Sequence, residues 1–193
     1  MSLLRTFIAI EIPQNIHTAI DRQTAALKAA LGSSLVRWVP TENIHLTLKF
    51  LGEVSPANVE MLAQMLTMEA SQQQPFEMRF EGLGAYPNFR HPRVLWIGIQ
   101  APAGLEGLQH GIEAASARLG YAGENRTFSP HLTIGRVRQT VQGEAMQTIR
   151  AALEGTQVGA LGTAQVTNLT LFKSELKPTG AVYTRLFSAP LGN

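Results

Sequence analysis

"HLTLKFLG" (residues 45–52) begins with four residues that return almost unchanged as "HLTI" (131–134). The chain has five histidines, and two of them occupy this same setting. Apolar and polar residues alternate in both copies, which is typical of a half-buried β-strand. Because residues two apart on a strand share a face, each copy directs its histidine and threonine to one side and two aliphatic residues to the other.

The order of predicted elements around the two copies is also repeated. The first half contains a strand (5–12), a helix (13–31) closed by a glycine, the first histidine strand, a helix (55–74) and a strand (76–83). The second half contains a strand (94–99), a helix (104–120), the second histidine strand, a helix (143–154) and two strands (166–172 and 181–187). An internal repeat of this kind governs the choice of fold. We therefore predict one bilobal domain (1–193) made of two pseudo-repeats, roughly 1–92 and 93–193, between which strands are free to exchange.

The composition is that of a folded globular protein, with 45% hydrophobic and 16% charged residues among 193. A formal net charge of +2 is compatible with an anionic partner. The absence of cysteine excludes disulfides, thiolate metal sites and a cysteine nucleophile. The apolar opening stretch carries Arg5 and Glu11 and has no cleavage-site pattern, and no later apolar run is long enough to span a membrane. We expect a cytoplasmic protein without membrane association.

The two histidine strands together predict a phosphate site. If the two halves pack about an approximate two-fold axis, four polar groups converge on one cleft: His45, Thr47, His131 and Thr133. Imidazole has a pKa of about 6.5, so one copy can act as a base while the other acts as an acid. Threonine hydroxyls and an imidazolium donate hydrogen bonds to phosphate oxygens. These groups suit in-line attack on a phosphodiester, with the two histidine roles interchangeable as far as the residues show.

The paired motifs resemble those of the 2H phosphoesterase superfamily, and most closely those of its LigT-like RNA 2',3'-cyclic phosphodiesterases, also called 2'-5' RNA ligases. The similarity extends over nearly the whole chain. It includes the blocks "RTFIAIEIP" (5–13), "WVPTENIHLTLKFLGEV" (38–54), "FSPHLTIGRV" (128–137) and "LTLFKSEL" (169–176). One His-x-Thr motif is a weak signal, whereas two motifs inside matching element orders are a specific one.

The resemblance implies an α+β fold in which two antiparallel sheets, related by pseudo-two-fold symmetry, carry helices on the outside and enclose the active-site cleft. It implies hydrolysis of an RNA terminal 2',3'-cyclic phosphate to a 2'-phosphate, without a metal or another cofactor. It further implies that His45 donates a proton to the departing ribose 3'-oxygen and that His131 accepts one from the attacking water. A ribose hydroxyl in place of water would give 2'-5' RNA ligation.

Four further residues are predicted to bind the substrate. Thr47 and Thr133 are ordinary strand residues when taken singly, but their matched positions favour phosphate contact. Phe50 and Arg136 occupy equivalent positions in the two motifs, where a ring can stack on a base and a guanidinium can bind phosphate. Strict alternation places both on the face opposite the histidines, which favours core packing for Phe50, whereas a β-bulge at Gly135 would turn Arg136 inward.

Alternatives to this enzyme remain open from the sequence. Two histidines fall short of a catalytic zinc site, which normally takes three protein ligands, and no residue at ligand spacing supplies the third. A non-catalytic module that binds RNA ends would keep the same cleft but needs no acid and base pair. A phosphodiesterase for small cyclic nucleotides or 2'-5' linkages would use the same chemistry. As the partner we expect RNA with a 2',3'-cyclic phosphate end, either tRNA-like or another RNA with a single-stranded end. We expect the protein to be a monomer.

The remaining histidines carry less information. His17 and His110 fall on predicted helices and His91 in a loop, so we expect each to be solvated or to cap a helix. The loop "YPNFRHPR" (86–93) interleaves aromatic and basic residues as nucleic-acid surfaces do, although a solvated loop is the more ordinary interpretation. Tyr183, on the last strand, is a weaker candidate for substrate contact.

Overall fold

A computed structural model describes residues 2–123, 127–178 and 180–192, which form nine strands and four α-helices. The strands are β1 (Leu4–Glu11), β2 (Val36–Trp38), β3 (His45–Val54), β4 (Phe76–Tyr86), β5 (Val94–Gln100), β6 (His131–Val137), β7 (Ala160–Val166), β8 (Asn168–Lys177) and β9 (Gly180–Pro190). The helices are α1 (Gln14–Leu35), α2 (Val59–Ser71), α3 (Gly104–Arg118) and α4 (Gly143–Glu154). Among the described residues, none of the helices combines the length and the apolar character needed to cross a bilayer.

The predicted elements are present, and most differences lie at their ends. Gly32, with φ at 58°, interrupts α1 where the helix was predicted to close, and one further turn follows it. The segment predicted as a helix from residue 55 opens with a 3₁₀ turn, Pro56–Asn58, before α2 begins. Strand β7 was not predicted, because its glycine, alanine and threonine residues give little apolar alternation.

The described strands form two antiparallel sheets, each with one histidine strand. The first sheet has the order β3-β1-β8-β9, and the second has the order β2-β6-β5-β4-β7. Strand β8 of the second half completes the first sheet, while β4 of the first half completes the second. The runs β3-β1-β8 and β6-β5-β4 are therefore equivalent, and the predicted α+β class with two antiparallel sheets is confirmed.

The helices cover one face of each sheet and leave the other for the site. Helices α2 and α3 pack on the strands of the first sheet, α1 packs on β2 and β7 of the second, and α4 packs against α1. One apolar core joins both sheets to these helices, with Ile8, Leu46, Leu95 and Leu132 almost wholly buried in it. Burial of this continuous apolar surface is the main force that holds the two sheets together.

Candidate active site

His45 and His131 open β3 and β6, and both are held by the same kind of hydrogen bond. His45 Nδ1 lies 2.8 Å from the carbonyl oxygen of Asn43, and His131 Nδ1 lies 2.7 Å from that of Ser129. A carbonyl oxygen only accepts, so Nδ1 carries the hydrogen in both rings. Each neutral imidazole therefore keeps the lone pair on Nε2, the atom left to accept a proton or, once protonated, to donate one.

The threonines share the exposed side of each histidine strand, as the period-2 pattern predicts. Thr47 and Thr133 are partly buried, whereas the alternating residues Leu46 and Leu132 are 1% and 0% exposed. The imidazoles and hydroxyls thus lie on the face away from the helices, with the aliphatic side chains packed behind them in the core.

Aromatic rings enclose both imidazoles. His45 stacks on Phe7, with 4.7 Å between the ring centroids and 24° between the planes, and meets the edge of Tyr183 at 5.3 Å. His131 meets Tyr86 edge-on at 5.0 Å. Tyr183 lies on β9 and Tyr86 on β4, strands distant in sequence from the histidines they contact. Local sequence patterns do not reveal such contacts, which is why Tyr183 was a weak candidate and Tyr86 was considered only as part of a loop.

The residues that accept the histidine hydrogen bonds are anchored in turn. Asn43 Nδ2 donates to the carbonyl oxygen of Ala181 on β9 at 2.8 Å, and the hydroxyl of Ser129 shares a 2.9 Å hydrogen bond with Tyr86 on β4. In both halves the residue two positions before the histidine accepts the imidazole hydrogen bond with its backbone carbonyl. Its side chain is hydrogen-bonded to the strand that carries the tyrosine. Neither residue was identified from the sequence, although their equal distance from the two histidines was the available signal.

Burial dominates the electrostatics of both imidazoles. It lowers the pKa of His45 to about 4, against an opposing effect of the hydrogen bond to Asn43, which favours the charged ring. It also lowers the pKa of His131, where the bond to Ser129 opposes the shift and the positive charge of Arg136 adds to it. Both imidazoles are therefore mainly neutral at pH 7 when no anion is bound.

A β-bulge in β6 brings Arg136 to the histidine side. The pairing of β5 with β6 passes from Trp96 opposite Thr133 to Leu95 opposite Gly135, and so skips one residue of β6. This shift reverses the alternation beyond Gly135, the position at which a bulge was considered. Arg136 is exposed, and its charge acts on His131.

The first histidine strand bulges at the same point, so the core packing that strict alternation favours for Phe50 is wrong. The pairing of β1 with β3 skips one residue between Thr47 and Lys49. Lys49 consequently lies in the interior, and Phe50 is 53% exposed, with its ring 6.1 Å from Phe7 on the histidine side. Strict alternation failed because nothing in the composition of β3 marks the bulge, in contrast to the glycine of β6.

Arg136 connects the two halves of the site. Its charge lowers the pKa of His131 and acts in the same direction on Tyr183, whose pKa burial nevertheless raises. Tyr183 in turn packs against His45. Strands β3 and β6 are also in contact. The two histidines thus lie on contacting strands of different sheets, and the charge of Arg136 acts on His131 and on the tyrosine beside His45. We refer to the surface between the two histidine strands as the cleft.

The other three histidines have different surroundings. His17 is buried, with Nε2 3.1 Å from the carbonyl oxygen of Ile44, so the expectation that it is solvated or capping is wrong. It supports the turn that leads into β3. His91 and His110 are exposed. Within the described ranges no three His, Asp or Glu side chains gather in a way that could hold a metal ion.

The duplicated organisation of this chain is also evident in its match to a known family. The family model described as LigT like Phosphoesterase matches twice, at residues 10–96 and 97–183. An RNA 2',3'-cyclic phosphodiesterase of Archaeoglobus fulgidus is 32% identical over 183 residues, which cover 95% of this chain and 98% of that protein. The protein of the same name from Methanothermobacter thermautotrophicus is 30% identical over 181 residues, which cover 94% and 95%.

Solved structures show the same fold. The crystal structure of TT0787 of Thermus thermophilus matches with a TM-score of 0.81 and 26% identity, covering 98% of this chain and 100% of that one. Escherichia coli LigT complexed with 3'-AMP matches with a TM-score of 0.76 and 28% identity over 99% of both chains. On the family match, which takes in most of both halves, this chain belongs to the LigT-like phosphoesterase family.

Proposed function

We propose that this protein hydrolyses the 2',3'-cyclic phosphate at an RNA end to a 2'-phosphate, with His45 and His131 as acid and base. The observation that carries the proposal is the matched pair of imidazoles, each bonded through Nδ1 to a carbonyl, which leaves Nε2 as the atom that exchanges a proton. The relatives named RNA 2',3'-cyclic phosphodiesterases support the choice of substrate.

The proposed reaction is a single in-line displacement. His131 Nε2 accepts a proton from water as the water oxygen bonds to phosphorus. The bond between phosphorus and the ribose 3'-oxygen breaks, and protonated His45 donates its Nε2 proton to that oxygen. The phosphate stays on the 2'-oxygen, and proton exchange with solvent resets both rings. The direction of these roles rests on the family resemblance, since the two histidine strands are equivalent in geometry.

The remaining side chains of the cleft are assigned to substrate binding. We propose that Thr47, Thr133 and Arg136 donate hydrogen bonds to the non-bridging phosphate oxygens, whose charge changes in the transition state. The exposed ring of Phe50, on the histidine side of β3, is available to stack on the terminal base. Neither contact requires a metal or another cofactor.

The acid must gain a proton that burial alone disfavours. With a pKa of about 4, His45 is neutral in the free protein near neutral pH. A phosphodiester anion beside Nε2 favours the charged ring and raises this pKa on binding. Substrate binding and protonation of His45 are therefore coupled in this proposal.

The same site would run ligation when an RNA 5'-hydroxyl replaces water. Attack on the cyclic phosphate with loss of the 3'-oxygen leaves a 2'-5' linkage and requires the same proton transfers. We also propose that the protein acts as a monomer, because a single chain supplies His45, His131 and Arg136 to the cleft. Size-exclusion chromatography with light scattering tests this oligomeric state.

The decisive test is hydrolysis of an oligonucleotide with a 2',3'-cyclic phosphate end in the presence of EDTA. His45→Ala and His131→Ala should each lower kcat by about 10²- to 10⁴-fold, whereas His91→Ala, at an exposed histidine, should not. Full activity in either site variant contradicts the two-histidine mechanism. Activity that needs added metal contradicts metal independence, and RNA binding without turnover favours the non-catalytic module.

A modified substrate separates acid from base. A cyclic phosphate with sulfur in place of the bridging 3'-oxygen has a leaving group that needs no proton. This substrate should restore turnover to His45→Ala but not to His131→Ala. The opposite pattern would exchange the two roles.

A further inference from the structure

A cavity of about 450 Å³ lies beside the cleft and is lined by four arginines. They are Arg37, Arg93, Arg136 and Arg138. Strands β2 and β5 are the two neighbours of β6 in the second sheet, so the cavity opens where β6 ends and β5 begins. Only Arg136 of this set belongs to the cleft described above.

The strand register holds like charges against one another. Arg37 lies directly opposite Arg136 in the pairing of β2 with β6. Side chains at such positions share a face with their Cβ atoms about 5 Å apart, and like charges there are destabilising. In the part of the chain that the structure describes, none of the four has a carboxylate within ion-pair distance. The hydrogen bond from Arg138 Nε to the carbonyl oxygen of Ser33, at 2.7 Å, leaves its charge uncompensated.

Arg136 links the cavity to the active site, because it lines the cavity and the bulge in β6 turns it to the side of His131. This guanidinium lines the cavity and also lowers the pKa of His131, which is part of the cleft. The other three arginines therefore extend the positive charge from the cleft outward. The cyclic phosphate of a mononucleotide carries one negative charge, which the histidine motifs and Arg136 can meet. Three more guanidiniums match a ligand with further phosphates.

We propose that Arg37, Arg93 and Arg138 bind backbone phosphates of the RNA nucleotides that precede the cyclic end. The inference rests on the proposed function, because it takes the occupant of the cleft to be an RNA terminus. Guanidinium forks pair well with phosphate oxygens, and bound phosphates would relieve the repulsion between Arg37 and Arg136. The subsite would make the enzyme selective for polynucleotides over nucleoside cyclic phosphates.

The test compares two substrates in a triple variant, Arg37→Gln, Arg93→Gln and Arg138→Gln. For a decanucleotide with a 2',3'-cyclic phosphate end, kcat/KM should fall by about 10- to 100-fold, since three phosphate contacts are lost. For a nucleoside 2',3'-cyclic phosphate, kcat/KM should stay within about two-fold of the wild-type value, because that substrate does not reach the cavity. The dependence of log kcat/KM on log salt should also become shallower by about 2 for the decanucleotide.

A second triple variant controls for net charge. Arg22→Gln, Arg118→Gln and Arg150→Gln removes the same charge from exposed positions on α1, α3 and α4. It should retain decanucleotide turnover. Equal losses in the two triples, or equal losses on both substrates, would overturn the proposal. A different pattern would assign the cavity to a nucleoside polyphosphate instead. In that case ATP would strongly inhibit turnover of the nucleoside cyclic phosphate by the wild type but not by the cavity triple, and the cavity triple would turn over the decanucleotide as the wild type does.

Binding separates this inference from the proposed function. Fluorescence anisotropy with a labelled decanucleotide bearing a 2'-phosphate end measures affinity without turnover. If the wild-type chain turns over neither substrate but the cavity triple binds the decanucleotide at least about ten-fold more weakly than the control triple, the arginine subsite stands and the phosphodiesterase proposal fails. Equal affinities in the two triples contradict the subsite whatever the activity.

Discussion

The ring of Tyr183 stands edge-on to the imidazole of His45, with 5.3 Å between the centroids and 81° between the planes. Tyr86 repeats this relationship at His131, with 5.0 Å and 79°. Each tyrosine shields one imidazole from water, and burial is the main cause of the low pKa of both histidines. The protonation of the two catalytic candidates thus depends in part on Tyr183 of β9 and Tyr86 of β4, which lie outside the motifs.

Truncation of Tyr183 should raise the pKa of His45. In Tyr183→Ala water reaches the ring, and the pKa should move from about 4 toward the ordinary value of about 6.5. Histidine titration followed by NMR measures the shift. Tyr86→Ala is the matched control and should raise the pKa of His131 while leaving His45 unchanged. A His45 pKa that stays near 4 in Tyr183→Ala would show that this tyrosine does not bury the ring.

The activity should increase as the pH falls below neutrality. In the proposed mechanism the free enzyme is competent when one imidazole is protonated and the other is neutral, and the pKa of both lies below its usual 6.5. Above both values the competent fraction falls about ten-fold per pH unit, while the cyclic phosphodiester keeps its charge. A plot of kcat/KM against pH should therefore peak below about pH 6.5. The two apparent pKa values from such a plot belong to the coupled pair of histidines and not to either one. A maximum at pH 8 would contradict neutral imidazoles in the free enzyme.

Stability should depend on His45 over the same pH range. The native pKa of about 4 lies below the unfolded value of about 6.5, so the unfolded chain binds more protons between them. The contribution of neutral His45 to the free energy of unfolding is fully present above about pH 6.5. It is lost as the pH falls toward 4, and the loss is about 2 kcal/mol for a partly buried ring. Urea unfolding at pH 7.5 and at pH 5 measures this effect. The free energy of unfolding should fall less between the two pH values in His45→Asn, which keeps a donor for the carbonyl oxygen of Asn43, than in the wild type. The same loss in both would exclude His45 as its source.

The histidine strands show how far the sequence determines the site. Alternation correctly predicted that His45 and Thr47 share a face, because side chains on a regular strand obey a period of two. It failed at Phe50, because the bulge before it depends on pairing with β1, a strand remote in sequence. In β6 the bulge could be anticipated, since Gly135 tolerates one, whereas Lys49 at the equivalent place gives no such signal.

Strand exchange limits prediction in the same way. The repeated order of elements indicated two halves between which strands are free to exchange, but it did not identify β4 and β8 as the strands that each complete the sheet of the other half. This exchange places Tyr86 and Tyr183 beside the histidines, and no local pattern encodes it. The position of Arg37 could not be predicted for the same reason, since it lies opposite Arg136 only because β2 pairs with β6.

The anchored carbonyls should position the imidazoles rather than bind substrate. Ser129→Ala keeps the carbonyl that His131 contacts but removes the hydrogen bond to Tyr86. Asn43→Ala does the same for His45 and the bond to Ala181. We expect kcat to fall by about ten-fold in each, with KM little changed, because only the orientation of the acid or base is disturbed. Ser129→Thr, which retains a hydroxyl, should recover activity lost in Ser129→Ala.

A change in KM with constant kcat would instead assign Asn43 and Ser129 to substrate binding. NMR of the histidine rings supplies an independent measure. The Nδ1 hydrogen of His131 should exchange with solvent faster in Ser129→Ala than in the wild type, whereas that of His45 should not change. Equal exchange in the variant and the wild type would contradict a positioning role.

Lys49 should matter for stability more than any exposed lysine. Its Nζ donates to Glu113 on α3 at 2.8 Å and to the carbonyl oxygen of Ala122 at 2.5 Å, and its side chain is 0% exposed. Loss of one partner of a buried pair typically costs about 3–5 kcal/mol. Glu113 keeps 17% exposure, so Lys49→Ala should lower the free energy of unfolding by about 3 kcal/mol, near the lower limit.

Urea unfolding of matched variants separates the charge of Lys49 from its packing. Lys28→Ala is the control, because Lys28 pairs with Asp21 at the surface and should cost less than about 1 kcal/mol. Lys49→Met keeps the aliphatic volume, so a loss equal to that of Lys49→Ala assigns the cost to the ion pair, and recovery assigns it to packing. Lys49 directly follows the residue that β3 skips at the bulge, and the exposed Phe50 comes next. The KM for RNA should therefore rise in Lys49→Met, and an unchanged KM would show that the bulge forms without this contact.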